Sequence, residues 1–276
     1  MANAPTKPTT VKKESSSASG LFATLTIPLC IVVTICIYAF ILADPSHYKG
    51  GDVDHGEPSD PFGIIHRGGV LVPLVMGYVL MVIVFSIERF IVIGKASGTA
   101  SIDAFVRKIQ GFLTAGNIDA ASAECDKQKG SVANVIKSGL KKYREMELET
   151  TLDVDQKTLA IQKDIEEATA LEMPMLEQNL TIIATLVSIG TLTGLLGTVI
   201  GMIKAFAELA GTGANTSALS AAISEALVNT ALGISTSALS IVMYNVFTSK
   251  IDSLTYAIDE TGFSIVQTFA ASHKNK

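Results

Sequence analysis

The sequence contains no tryptophan, few aromatic residues and little charge. Across 276 residues, Phe and Tyr supply the whole aromatic fraction of 6%, and Asp, Glu, Lys and Arg together make up 17%. A soluble domain usually carries about 25% charged residues, so this deficit argues against an ordinary globular protein. The formal net charge of −5 also lacks the basic excess of a nucleic-acid-binding protein. The composition therefore disfavours both classes.

Cysteine and histidine are scarce, which limits disulfide, metal and catalytic chemistry. Cys30 and Cys36 lie in an apolar run and Cys125 in a charged region, so no disulfide framework is predicted. The chain has no Cys-x-x-Cys, Gly-x-Ser-x-Gly or His-Glu-x-x-His motif and no histidine within an apolar run. We therefore expect neither an enzyme nor a bound metal or cofactor. One group of residues could offer ligands to a divalent ion, although its irregular spacing favours a solvated loop: His47, Asp52, Asp54 and His55.

Long apolar runs, by contrast, are abundant, and hydrophobic residues make up 48% of the chain. A bilayer core roughly 30 Å thick needs about 20 apolar helical residues. Four segments reach that length: 21–43, 69–94, 181–209 and 219–247. The sequence thus predicts an all-α membrane protein with four transmembrane helices.

The distribution of basic residues predicts the orientation, because cytoplasmic loops retain Lys and Arg. The N-terminal tail carries Lys7, Lys12 and Lys13, whereas the connection 44–68 is acidic, so both termini are expected inside. We predict a disordered cytoplasmic tail at 1–20, an outer loop at 44–68 and an outer turn at 210–218. We also predict a cytoplasmic helical domain at 95–180 and a cytoplasmic C-terminal helix at 248–276. A secretory signal cleaved near Ala43 is the alternative, but its apolar run exceeds the ~7 to 15 residues of a signal core.

The cytoplasmic segment shows short amphipathic helices and two longer continuations of the spans. Apolar stripes end at Gly116, and Asn117 offers an N-cap for the next helix. From about Asp153 the pattern runs on into the third span, so one continuous helix kinked at Pro174 is expected. The fourth span is likewise expected to extend into the cytoplasm.

The third and fourth spans form a hairpin with two threonines at matched depth. Thr198 lies sixteen residues before Ala214 and Thr230 sixteen after it. Four glycines of the third span make a ridge that permits close helix approach: Gly190, Gly194, Gly197 and Gly201. Further polar residues are predicted to line a pore: Thr185, Ser188, Thr191, Asn229, Ser237 and Ser240. Simple hydrogen bonding of each hydroxyl to its own helix is the alternative.

Glu225 is the one acid well inside a predicted span, and an ionisable residue at such depth is costly enough to indicate function. The alternative is a structural acid bound to Asn229 or to another subunit. Two other charged pairs are predicted to be ordinary: Glu88-Arg89 as a membrane-edge anchor, and Lys204 with Glu208 as a helical ion pair.

The hairpin motifs resemble the TolQ/ExbB/MotA proton-channel family, and the ExbB type in particular. The resemblance covers roughly residues 85–260 and rests on Gly194-Leu-Leu-Gly-Thr-Val-Ile-Gly-Met202, Ile223-Ser-Glu-Ala-Leu-Val-Asn-Thr-Ala-Leu-Gly-Ile234 and Tyr244-Asn245. The family's usual Ala-Pro is here Gly190-Thr191, and its Ala-Ile-Pro is Ser237-Ala238-Leu239. The segment 21–43 is an extra span relative to the three-span family core.

The resemblance implies a homopentamer in the bacterial inner membrane around ExbD- or TolR-like single-span partners that carry a membrane Asp. Thr198, Thr230 and Glu225 then form the ion pathway. The expected function is a proton-channel subunit that uses the proton motive force to energise TonB-dependent outer-membrane transport together with a TonB-like protein. The translocated ion is H⁺, or Na⁺ given the added hydroxyls. A TolQ-like envelope motor and a non-conducting assembly scaffold are the alternatives.

Overall fold

The computed structural model describes residues 16–53, 56–210 and 216–273, and the regular structure in these ranges is helical. Nine α-helices follow one another within them: α1 Ser16–Ile37, α2 Pro61–His66, α3 Val72–Ser97, α4 Ile102–Thr114, α5 Ile118–Gln128, α6 Gly130–Leu148, α7 Val154–Glu177, α8 Leu180–Ala210 and α9 Thr216–His273. A π-helical turn, Tyr38–Leu42, continues α1, and two 3-10 turns follow it. Four helical segments are long and apolar enough to cross a membrane. The prediction of an all-α membrane protein with four spans is confirmed.

Several helix ends differ from the predicted ones. α1 begins at Ser16, so the last part of the predicted disordered tail is helical. Residues 1–15 and 211–215, which include most of that tail and the predicted outer turn, lie outside the described residues. α9 runs unbroken from Thr216 to His273, as its apolar pattern predicted.

The prediction of one continuous helix into the third span is wrong. α7 ends at Glu177, and Asn179 takes a left-handed backbone conformation, with φ 62°, before α8 begins. Pro174 lies inside α7 and cannot donate a backbone hydrogen bond, which weakens the last turns of that helix. Asparagine tolerates the left-handed region better than most residues, so it can end a helix where glycine is absent.

Arg89 stabilises the C-terminal end of α7. The side chain is 1% exposed. Its guanidinium donates hydrogen bonds to the carbonyls of Met175 and Leu176, both at 3.2 Å, and pairs with Glu88. The last carbonyls of a helix lack partners within the helix, and a cation there complements the helix dipole. Arg89 is thus a buried cap rather than a membrane-edge anchor.

We expect Arg89→Met to destabilise the protein by about 3 kcal/mol or more, because it strands the Glu88 carboxylate and two buried carbonyls. The midpoint of thermal unfolding of the purified protein in detergent measures this effect. Lys95→Met is the matched control, because Lys95 is an exposed residue near the end of α3, the helix that carries Arg89. A similar midpoint for both variants would contradict the capping role.

The described residues form two compact units, one with those up to 81 and those within 190–236, the other with 82–189 and those from 237 onward. In the second unit, Asn117 caps α5 as predicted, accepting a hydrogen bond from Ala120 N at 3.0 Å. The predicted apolar stripe of α4 is buried at Phe105, Val106, Ile109 and Leu113, and that of α6 at Val132, Val135, Ile136 and Leu140.

In the first unit, the segment between α1 and α3 is held by polar contacts. His47 Nδ1 lies 2.6 Å from Asp60 Oδ2, and Tyr48 Oη lies 2.6 Å from His66 Nδ1. A hydrogen bond from Gly63 N, aided by the nearby His47 imidazole, holds the pKa of Asp60 below its usual value. The loop is therefore ordered by its own side chains.

The three cysteines are free, as predicted. Burial raises the pKa of the Cys125 thiol to about 12, which makes this side chain a poor nucleophile. Within residues 16–53, 56–210 and 216–273, no group of three or more His, Cys, Asp or Glu side chains is placed to hold a metal ion. Asp54 and His55 lie outside these ranges.

Candidate functional site

α8 and α9 approach each other closely through glycine. A Cβ added to Gly233 would lie 2.6 Å from Gly190 O and 2.7 Å from Gly194 Cα. A Cβ added to Gly201 would lie 2.7 Å from the Ala226 Cβ. These separations leave no room for a side chain. The predicted glycine ridge, which is buried at all four positions, therefore lies against α9.

Thr198 and Thr230 meet between the two helices. Their hydroxyl groups are hydrogen-bonded to each other, so counting outward from Ala214 placed them correctly at one depth. Each hydroxyl also bonds a backbone carbonyl: Thr198 to Gly194 O at 3.3 Å, and Thr230 to Gly194 O and Ala226 O, both at 3.1 Å. Each hydroxyl thus bonds a carbonyl of its own helix, which was the alternative, and also pairs with the other hydroxyl.

This arrangement gives two hydroxyl protons more acceptors than they can satisfy at once. A hydroxyl donates one hydrogen bond and can accept two. Thr198 can donate to Thr230 or to Gly194 O, and Thr230 has the corresponding choice. The donors can therefore exchange roles by rotation of the hydroxyl groups alone. Such a pair can relay a proton without carrying a charge of its own.

Lys204 and Gly69 lie against the Glu225 carboxylate, and Asn229 bonds the Glu225 backbone. Lys204 Nζ lies 2.7 Å from Oε1 and 2.9 Å from Oε2. A Cβ on Gly69, where φ is +77°, would collide with the carboxylate. Asn229 Nδ2 donates to Gly68 O at 2.7 Å and to Glu225 O at 3.0 Å. The predicted pairing of Lys204 with Glu208 is wrong, because Lys204 pairs with Glu225 instead.

A cavity of about 600 Å³ opens beside this ion pair. It lies near the ends of α8 and α9 where the described residues stop at 210 and resume at 216. Charged and titratable side chains from the segment between α1 and α3 and from both helices line it: His66, Arg67, Lys204, Glu208 and Glu225. An open recess lined by both signs of charge thus reaches Glu225, one to two helical turns from Thr230.

The structure separates the six residues predicted to line a pore. Thr185, Ser188 and Thr191 are exposed on α8, so that part stays a prediction. Asn229, Ser237 and Ser240 are 1%, 9% and 0% exposed. Their pore-lining role likewise stays a prediction, although burial against the same chain leaves little of these three side chains open to a lumen. Ser237, for example, donates to Val187 O at 2.6 Å.

Two residues that lie against the Glu225 carboxylate were missed from the sequence. Lys204 lies ten residues before Ala214 and Glu225 eleven after it. The counting rule that paired the threonines would therefore have paired these two as well. Gly69 had a weaker signal, as the second glycine of a Gly-Gly pair at the start of the predicted span 69–94. Only glycine readily adopts its backbone conformation.

Comparison with known proteins adds independent information on the hairpin region. Residues 127–260 match the MotA/TolQ/ExbB proton channel family. The chain is 36% identical over 88 residues to biopolymer transport protein ExbB-like 3 of Synechocystis sp., which covers 31% of this chain and 42% of that protein. It is 26% identical over 208 residues to the Tol-Pal system protein TolQ of Pseudomonas aeruginosa, which covers 73% of this chain and 87% of that protein. Thr198, Lys204, Glu225, Asn229 and Thr230 lie within the family match, whereas the cavity residues between α1 and α3 lie outside it.

Proposed function

Since the chain belongs to the MotA/TolQ/ExbB proton channel family, we propose that it is the channel subunit of an inner-membrane motor driven by the proton motive force. The observation that carries the proposal is the Thr198–Thr230 hydroxyl pair between two spans, with Glu225 one to two turns away in an open cavity. Together they form a polar path inside an apolar hairpin. Ionisable and hydroxyl groups in that setting are typical of ion pathways.

The motor needs other chains, because this one supplies only part of an ion path. No Asp lies in any of the four predicted spans. A single-span partner of the ExbD or TolR type would contribute that carboxylate at the centre of a homopentamer. An apolar surface of α8 is exposed on the isolated chain and would be covered by lipid or by neighbouring subunits: Leu192, Leu195, Leu196, Val199, Ile203 and Phe206. Both termini would then face the cytoplasm, as the lysine distribution favours.

Ion flow would supply the free energy for work on a TonB-like protein. One charge crossing a potential of ~100 mV releases about 2.3 kcal/mol, so several ions for each mechanical step are sufficient. We favour TonB-dependent outer-membrane transport as the process served. A TolQ-like role in the cell envelope is the second candidate, and the similarity to a protein named TolQ over 73% of the chain supports it.

Flux measurements on the purified complex test the proposal. We expect the complex isolated from its own membranes to contain a short single-span chain, which its mass will reveal with the subunit ratio. In liposomes that carry an imposed membrane potential, the complex should take up H⁺, reported by an enclosed pH-sensitive dye. Liposomes that lack protein provide the background.

A scaffold makes the opposite prediction. If the intact complex shows no cation flux above background while the cells retain full uptake through the outer membrane, the chain assembles partners and conducts nothing. Depletion of the chain also separates the two candidate processes. Loss of TonB-dependent uptake supports the first process, and a leaky envelope with intact uptake supports the second.

A further inference from the structure

The ion pair between Lys204 and Glu225 bears on which ion the pathway accepts. The Lys204 ammonium lies within hydrogen-bond distance of both carboxylate oxygens, at 2.7 and 2.9 Å. The Glu225 side chain is 17% exposed and the Lys204 side chain 50%. Lys204 therefore approaches the carboxylate from the side of the cavity, the same side from which a dissolved cation would arrive.

The other charged groups of the cavity have different bonds. Arg67 donates to Gly56 O, and His66 Nδ1 is hydrogen-bonded to Tyr48 Oη at 2.6 Å. Glu208 is the remaining acid of the cavity. Among the described residues around the cavity, Lys204 is the cation that contacts Glu225. Gly69 also lines the cavity, and its backbone lies so near Glu225 that a side chain there would collide with the carboxylate.

We propose that Lys204 is a positioning residue that excludes Na⁺ from Glu225 and so makes this part of the pathway selective for protons. The proposal rests on the proposed function and deepens it. A sodium ion must replace its water shell with several oxygen ligands. Here the carboxylate lone pairs face an ammonium group, whose charge also repels a metal cation at that distance. A proton needs one lone pair and no coordination shell, so it can reach the carboxylate whenever the ammonium moves aside.

The hydroxyl that the sequence adds at Ser237 does not replace Glu225 as a sodium ligand. The motif Gly190-Thr191 and Ser237-Ala238-Leu239 suggested additional oxygens for Na⁺. Ser237, however, is buried and donates to Val187 O. The Ser237 hydroxyl is therefore engaged in a hydrogen bond inside the chain.

Labelling of Glu225 with dicyclohexylcarbodiimide tests the proposal without requiring transport. This hydrophobic reagent modifies protonated carboxyl groups, and a cation bound to the carboxylate protects it. The purified complex is labelled in NaCl or in choline chloride of equal ionic strength, and peptide mass spectrometry gives the extent of modification at Glu225. The variants are Lys204→Met, which removes the charge at similar length, and Lys204→Arg, which retains it. Lys49→Met is the matched control, since it breaks a Lys–Glu pair with Glu57 outside the cavity.

We expect Na⁺ to leave the labelling of the unmodified chain, Lys204→Arg and Lys49→Met unchanged. In Lys204→Met, Na⁺ should lower the labelling of Glu225 by about threefold or more, because the carboxylate becomes a cation ligand. Protection by Na⁺ in the unmodified chain, or none in Lys204→Met, would overturn the proposal.

Uptake of radioactive Na⁺ and of H⁺ by liposomes separates this inference from the proposed function. Proton flux with unchanged labelling and unchanged ion selectivity in Lys204→Met would refute the role of Lys204 and leave the channel function standing. Labelling that follows our expectation in a complex that conducts no ion would refute the channel function and support the exclusion of Na⁺ by Lys204.

Discussion

Replacing Thr198 or Thr230 by valine should abolish proton flux while leaving the complex assembled. Valine keeps the shape of threonine and removes the hydroxyl, so either variant interrupts the hydrogen-bonded pair between α8 and α9. The loss of one such hydrogen bond costs only about 1 kcal/mol, which a folded membrane protein tolerates. A relay that lacks one of its two hydroxyls has no continuous path, and we expect flux to fall at least about tenfold.

Proton flux into liposomes measures the expected loss of transport. The elution volume of the purified complex measures whether it remains assembled. Ser235→Ala is the matched control, because Ser235 is an exposed residue of the same helix that donates to Ala231 O at 2.8 Å. It should retain normal flux. Undiminished flux in both valine variants would exclude the hydroxyl pair from the pathway. Loss of assembly in either one would assign the pair a structural role instead.

The depth of the site along the helices was predictable, whereas the facing of its side chains was not. A hairpin with a short turn places residues at equal distances from the turn side by side, because every helical residue rises by about 1.5 Å. Thr198 with Thr230 follows this rule, and so does Lys204 with Glu225. The second pair was missed because Lys204 was compared only with Glu208 on its own helix.

Whether a helix face meets a pore or another helix depends on neighbours that a sequence does not identify. The periodicity of α9 shows that Ser237 and Ser240 share a face with Thr230. It does not show whether that face meets a pore or another helix of the same chain. The structure buries both serines. The break between α7 and α8 is a similar case. The apolar pattern continues on both sides of Gln178 and Asn179, and it does not encode the left-handed backbone at Asn179.

Replacing Gly233 by alanine should damage both stability and transport. The new Cβ would lie 2.6 Å from Gly190 O and 2.7 Å from Gly194 Cα. Both obstacles are backbone atoms, so no side-chain rotation relieves the clash and the helices must separate. Such overpacking costs about 1 to 3 kcal/mol. Gly233 lies one turn from Thr230, and separation of the helices there would also break the contact between Thr230 and Thr198.

Gly94→Ala is the matched control, because a Cβ added to this glycine of α3 meets no atom within 4 Å. It should change the unfolding free energy by less than about 1 kcal/mol, the difference in helix propensity between glycine and alanine. Thermal unfolding in detergent and proton flux in liposomes should therefore distinguish the two variants sharply. Equal unfolding midpoints and equal flux would mean that the helices can move apart at no cost, and that the close backbone contact at Gly190 and Gly194 does not position the threonine pair. Lower stability in Gly233→Ala with normal flux would be a different outcome. In that case the threonine hydroxyls would keep their contact through a small local shift, and the glycine ridge would serve folding alone.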